Sequence, residues 1–293
     1  MYDIKGYYDA ETVSEAAALL AEKPQLKLIA GGTDVLIKMH GGQWEGVELL
    51  SLRKIKSMEE IRIEDDGTII IGAMATFSKI YHNPILKEEI PIITEAAVSM
   101  GGPQIRNMAT IGGNVCNGVT SADSASSLFA LNAQLKLVSK SGERIVPIRE
   151  FYLGPGKVAL NSGEILTELR IAREDYQGFG GQYIKFAMRE AMDIATLGVA
   201  VVCKVQNKYF EEVRIGLGVA GPTPLRCLEA EEFARGKEIS SETLAEIGKL
   251  AIKSTKARTS WRASKEYREH LVEELTQRAL RVAVVNAGGV EVV

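Results

Sequence analysis

The sequence predicts an α+β chain in three consecutive blocks, residues 1–55, 56–177 and 178–293. Three observations point to it. Before residue 55 the order is helix, strand, glycine turn, helix, strand. Between 58 and about 172 hairpin signals take over, and beyond the glycine-rich break at 178–181 three strand-like runs are followed only by helical sequence. With 293 residues, 46% hydrophobic and 25% charged, the proportions are globular and sufficient for a core divided between units.

In the first block, Thr12 and Glu15 have capping-box spacing ahead of VSEAAALLAEK, an amphipathic helix. Pro24 leads into LKLIA, expected as a buried strand; a GGT turn, the short helix DVLIKMH and the strand VELLSL complete the unit. In the second, MEEIRI and TIIIGA flank Asp65-Asp66-Gly67, while AQLKLV and RIVPI flank Ser141-Gly142, with a helix expected at 91–100 between these hairpins. In the third, QYIKFAMRE, ATLGVAVVCKV and YFEEVRIGLGVA read as strands, the last two joined across Asn207-Lys208. After Pro222 and Pro224 the remainder reads as helices, and the final one, about 262–286, places Tyr267, Leu271, Leu275 and Val282 on a broad face suited to a core or a subunit contact.

Composition excludes several function classes. The net charge is −3 and no long basic run occurs, so the electrostatic footprint of a nucleic-acid binder is missing. The start MYDIKGYYDAET has no apolar h-region, and IATLGVAVVC (194–203) is about half a membrane span, which predicts a cytoplasmic protein. Cys116, Cys203 and Cys227 are scattered without a CxxC pair, so reduced thiols are expected, with only Cys116 placed near a ligand. Neither a P-loop nor a GxSxG elbow is present, and His40, His82 and His270 lack metal-ligand spacing.

The segments that do suggest chemistry are alike. LIAGGTDV (28–35) and ATIGGNV (109–115) each place a Gly-Gly pair beside a small hydroxyl residue. Paired glycines permit positive φ and close backbone approach, which suits a phosphate cradle, and duplication suggests one diphosphate held between blocks; tight turns are the competing explanation. GLGVAG (216–221) matches GxGxxG literally, but Pro222 and Pro224 prevent a helix from starting there, so its glycines are expected to serve strand packing. Asp123 ends a long uncharged run and suits either a ribose hydroxyl or the first turn of a helix. In KFAMREAMD, read as a strand, Lys185 and Arg189 share a face that pattern alone assigns to solvent.

Taken together, KLIAGGTDVLIKM, IGAMATFSKI, GGPQIRNMATIGGNVCNGVTSADSA, GEILTEL, YIKFAMREAMDIATLGVA, VAGPTPLR and SWRASKEYREHL resemble, in order and over essentially the whole chain, the flavin-binding subunits of the molybdenum hydroxylases. The likeness is strongest to the separate FAD-binding subunits of bacterial xanthine dehydrogenase-like enzymes. It implies two α/β subdomains clasping FAD, the PCMH-type FAD-binding fold, followed by a C-terminal domain of three-stranded antiparallel sheet and helices. Carried over, Leu28, Ile29, Ala30, Gly31, Gly32, Thr33, Asp34 and Val35 would cradle the diphosphate from the first subdomain, and Thr110, Ile111, Gly112, Gly113 and Asn114 from the second. Asp123 would hold the adenosine ribose, Leu166 would pack near the adenine and Lys185 would lie near the flavin's polar edge.

The resemblance also implies an oxidoreductase subunit that relays electrons in purine metabolism. A molybdopterin-binding subunit would oxidise the substrate, [2Fe-2S] clusters of an iron–sulfur subunit would deliver electrons, and NAD or another acceptor would receive them. No side chain of this chain need then act as a general acid or base. A self-contained FAD-dependent oxidoreductase would need a substrate domain for which there is little room, and a flavin-free assembly subunit would be expected to have lost a glycine loop.

Overall fold

The computed structural model describes residues 2–292 and builds them around four sheets. In the first, β1 (Ile4–Asp9) and β2 (Lys27–Ile29) both run parallel to β3 (Val47–Ser51) in the order β1-β3-β2. Parallel neighbours need crossovers, which α1 (Val13–Glu22) and α2 (Val35–His40) supply. At the start of α1 the Thr12 hydroxyl accepts from the Glu15 N–H at 3.1 Å, and the Glu15 carboxylate takes the Glu11 N–H at 2.8 Å, one residue further out than a capping box requires. The strand expected to be buried at LKLIA is instead a three-residue edge with Lys27 exposed and Leu28 and Ile29 half-buried. An edge leaves one side open, and here that side borders a cavity.

The second sheet has the order β4-β5-β10-β6-β7, antiparallel throughout. Its hairpins are β4 (Ile61–Ile63) with β5 (Ile69–Gly72) and β6 (Gln134–Ser139) with β7 (Gly142–Pro147). Between β5 and β6 run α3 (Phe77–His82), α4 (Pro84–Glu89), α5 (Pro91–Ser99), α6 (Pro103–Met108), α7 (Ile111–Cys116) and α8 (Asp123–Ala130). Proline opens α4, α5 and α6, where its missing N–H costs nothing. The chain returns through α9 (Ile148–Phe151), β8 (Tyr152–Gly154) and β9 (Lys157–Val158) to β10 (Ile165–Ile171), which inserts between the hairpins and completes the sheet. Ile69, Ile71, Phe77, Phe129, Leu135 and Leu169 form one apolar core together with Ala16, Leu20 and Leu50 from the first sheet's layer.

The third sheet is β11 (Gly180–Phe186), β12 (Leu197–Gln206), β13 (Tyr209–Gly218) and β14 (Leu225–Arg226), each antiparallel to the next. Its three long strands are those predicted, and the two-residue β14 adds a short edge beyond Pro222 and Pro224. Asn207 turns the β12–β13 hairpin at φ 56°. Alternation along β12 divides the interior: Ala200 and Val202 join the first core, whereas Leu197, Val199, Val201 and Cys203 pack with α10 (Leu228–Ala234), α11 (Ser241–Ile252) and α12 (Lys265–Asn286). Gly216 of the GLGVAG segment has no room for a side chain, since a Cβ there would lie 2.1 Å from the Ser126 carbonyl oxygen of α8. On α12 the buried face contains Arg268, Leu271, Val272, Leu275 and Thr276, whereas Tyr267 and Val282, expected on it, are exposed. No helix among the described residues is long and apolar enough to cross a membrane.

Candidate cofactor-binding site

A cavity of about 390 Å³ lies between the two glycine segments. Leu28, Ala30, Gly31, Thr33, Asp34 and Val35 border it on one side, and Thr110, Gly112, Gly113, Asn114 and Leu166 on the other. Met58, Ala73, Met74, Met100 and Ile105 give it apolar walls. Five of the residues expected here do not border it. Ile29 pairs with Ser51 in the sheet, Gly32 holds the turn at φ 79°, and Ile111 is fully buried in the core. Asp123 and Lys185 meet each other beyond it.

The glycine segments are alike in sequence and unlike in hydrogen bonding. The amides of Gly31, Gly32, Thr33, Asp34 and Val35 donate to no acceptor among the described residues, which is the arrangement of an anion cradle. In the second segment the amides are consumed internally: Ile111 donates to the Ala75 carbonyl at 3.0 Å, Gly112 to Ala73 at 2.9 Å, Gly113 to the Thr110 hydroxyl at 3.1 Å and Asn114 to the Thr110 carbonyl at 3.0 Å. These four amides of the segment expected as a second cradle thus have partners within the protein, and the Asn114 side-chain oxygen accepts from Ser124 Oγ at 2.7 Å. Two of the glycines serve the protein's own packing: a Cβ on Gly31 would lie 1.9 Å from the Met108 carbonyl oxygen, and one on Gly112 would lie 2.6 Å from the Ala73 Cβ. At Gly113 the sole neighbour within contact range is Thr110 Oγ1 at 3.0 Å, so this position is the bare one beside the cavity.

Asp123 starts α8 but caps nothing; its carboxylate accepts from Lys185 Nζ at 3.1 Å and from the Tyr183 hydroxyl at 3.5 Å. Lys185 also donates to the Ser99 carbonyl at 3.0 Å, so the face that strand alternation assigned to solvent carries a buried ion pair. Burial pushes the Asp123 carboxyl up to about 6, against the opposing pull of Lys185, and lifts the Tyr183 phenol well above its ordinary range. The resemblance set these two residues toward opposite ends of an extended dinucleotide. Here they lie 3.1 Å apart, and Lys185 also borders a second cavity of about 310 Å³ bounded by Ser99 and the loop after β11.

Among the residues that close the main cavity, sequence reasoning missed Lys38 and Trp44. Lys38 Nζ donates to the Asn117 side chain at 3.0 Å, linking α2 to the end of α7, and lies 5.3 Å from the Trp44 ring centre. Cys116 lines the same wall as a thiol, its pKa pushed up to about 12 by burial. Cys116 is the thiol that the sequence placed near a ligand; Lys38 sits inside a motif that was singled out, so adjacency could have nominated it, and nothing in the pattern marks Trp44. Leu160, Ile165 and Leu166 are steadied by Glu164, which accepts from Arg144 at 2.7 and 2.8 Å, while Arg144 also donates to the Ala159 carbonyl at 2.7 Å.

Comparison with known proteins agrees with this arrangement along the chain. Residues 2–173 match the FAD binding domain in molybdopterin dehydrogenase, and residues 182–283 match the CO dehydrogenase flavoprotein C-terminal domain. The chain belongs to the FAD-binding subunits of the molybdenum hydroxylases. This flavin subunit is 42% identical to the putative xanthine dehydrogenase FAD-binding subunit of Escherichia coli K12 over 289 residues, 99% of each chain. It is 31% identical to the carbon monoxide dehydrogenase medium chain of Hydrogenophaga pseudoflava, covering 94% of this chain and 96% of that one. The solved carbon monoxide dehydrogenase of the latter organism superposes with a TM-score of 0.92 at 29% identity, covering 98% and 99% of the two chains. The subunit is thus part of an FAD-dependent, xanthine dehydrogenase-like oxidoreductase. Its residues fit FAD: the free amides of 31–35 suit a diphosphate, and the apolar walls suit flat rings.

Proposed function

We propose that this chain is the electron-transferring flavin subunit of a purine-type molybdenum hydroxylase, receiving electrons from iron–sulfur clusters of one partner subunit and passing them to NAD or another acceptor. A third, molybdopterin-binding subunit carries out the substrate hydroxylation. The observation that carries the reading is the cavity between the glycine segments, with unpaired amides on 31–35 and the buried Asp123–Lys185 pair beyond Asn114. Bound FAD supplies a carrier able to exchange electrons singly or in pairs.

The chain's own residues bind and orient. The amides of Gly31, Thr33, Asp34 and Val35 would take the diphosphate, Thr110 and Asn114 would hold the opposite side, and Leu166 would pack against a ring. Asp123 and Lys185, paired with each other, would offer charged groups to the bound cofactor, with Lys185 held in place by the Ser99 carbonyl. In this reading the first two blocks, 1–55 and 56–177, hold the cofactor and the 178–293 block supplies Lys185.

The test is the visible spectrum of the purified chain before and after incubation with FAD, with the released chromophore identified. Flavin bands released as FAD support the reading, and reduction followed by mixing with NAD or an artificial acceptor then identifies the acceptor. A chain that stays colourless after reconstitution returns the protein to an assembly role.

A further inference from the structure

The segment SWRASKEYREHL contributes nothing to the cofactor site, yet it holds the most poorly satisfied polar cluster of the described residues. Arg268, 3% exposed, donates to the Thr196 carbonyl and to Ser260 Oγ, the latter at 2.8 Å, and its Nε has no partner. Arg262 Nε is likewise buried and unpaired, and so is the hydroxyl of Thr196, a residue 1% exposed. Half of the six orphaned buried side-chain atoms among the described residues therefore sit in this one spot. Native structures leave few such atoms, and a group of them marks a missing partner.

The charge there is also unbalanced. Among the described residues none of Arg258, Arg262 and Arg268 forms an ion pair. Burial first, then the like charges of Arg258 and Arg262, hold the Arg268 pKa below its ordinary value. A guanidinium taken out of water beside two others, with no carboxylate, is costly unless an anion arrives. Above it, Trp261 is 74% exposed with the Arg262 guanidinium 4.1 Å from its ring centre, and Tyr267 is 45% exposed against Phe186. A small free anion would account for the arginines and leave the bare indole unexplained. Tryptophan, tyrosine and arginine gathered on one surface are the residues that dominate protein–protein contacts.

We propose that the strap 258–262, with Arg268 beneath it, is a docking point for a carboxylate-bearing segment of another subunit of the same enzyme complex. The carboxylate pairs with Arg258 and Arg262 beside a covered Trp261. This rests on the multisubunit reading above and adds the face and the chemistry of the contact. The site is fastened to the loop after β11 through the Arg268–Thr196 bond, so docking here bears on the stretch that follows Lys185.

The experiment is co-expression of the tagged full chain with the molybdopterin-binding and iron–sulfur subunits, followed by recovery on the tag. Arg258→Glu and the double variant Arg258→Glu/Arg262→Glu are expected to recover about tenfold less partner subunit, because an interfacial charge pair with a carboxylate forced onto a carboxylate costs at least that much. Arg235→Glu, exposed elsewhere, is the control and recovers the wild-type amount. Circular dichroism and flavin absorbance of the isolated variants show that they remain folded. Trp261 emission is expected to shift to the blue on assembly, a change absent in Trp261→Phe. Undiminished recovery in both charge-reversal variants overturns the docking face alone. A wild-type chain that recovers neither subunit overturns the face and the multisubunit reading together.

Discussion

The four glycines of the two segments have separate physical jobs, and this separates their variants. Gly113→Val places a branched side chain beside the cavity, 3.0 Å from the Thr110 Oγ1 that caps α7, so it should release FAD while lowering the unfolding midpoint by no more than the loss of that cap. Gly32→Val forces a β-branched residue to φ 79°, which costs about 1–2 kcal/mol and distorts the loop carrying the free amides; flavin retention should fall there too. Undiminished flavin in both variants would remove the glycine segments from the cofactor site. Asp123 offers a pH test. Its carboxyl binds a proton more tightly in the fold, about 6 against an ordinary 3.8, so its contribution to stability is full below 3.8 and disappears as pH rises through 6. Urea midpoints of wild type minus Asp123→Asn should therefore rise as pH is lowered from 6 to 4, and a flat difference would mean that the carboxylate is not buried as described.

At the scale of elements, the cavity depends on contacts between segments distant in the chain. The loop bearing Leu160 and the start of β10, with Ile165 and Leu166, are pinned by the pair of Glu164 with Arg144 of β7, and Arg144, through two hydrogen bonds, holds the Glu164 carboxyl down to about 2. That contribution is present above the ordinary value of 4.5 and disappears as pH falls through 2. Because the pair meets solvent, Glu164→Gln should cost on the order of 1 kcal/mol at neutral pH rather than the several of a dry pair. The gap to wild type should close on acidification, as read by thermal denaturation. The short helices around the site could not be read from periodicity: α3, α4, α6 and α7 are six residues each, less than two turns. Longer elements were legible. The β12–β13 hairpin, α5 and α1 stand where alternation and capping residues put them, whereas β2, expected inside, lies at a sheet edge because the cavity takes the place of a covering layer.

For the whole molecule, two apolar cores meet at the third sheet, with β12 contributing to both, so the first core and the α10–α12 packing occupy opposite sides of one sheet. FAD at about a hundredfold excess over its dissociation constant should stabilise the chain by about 2.7 kcal/mol. Hydrogen exchange should locate the effect: amides at 31–35 slow on FAD addition, while those of the α11–α12 pair do not. Equal protection of both regions would show that ligand stability is shared globally.

By itself the sequence determined the order and type of the long elements, the positions of the glycine segments and, through resemblance spanning the chain, the flavin-subunit family. These are local or collinear properties: hydrophobic period, turn chemistry and motif order survive without knowledge of contacts. Only the tertiary structure decided which amides are free. LIAGGTDV and ATIGGNV look equivalent as strings, yet the second spends its N–H groups on Ala73, Ala75 and Thr110. Likewise Asp123 and Lys185, 62 residues apart, became partners because α5 packs against both β11 and α8, which paired a carboxylate that spacing left between ribose and helix first turn with a lysine that alternation assigned to solvent. Donor satisfaction and burial are set by neighbours remote in the chain, and no local pattern encodes them.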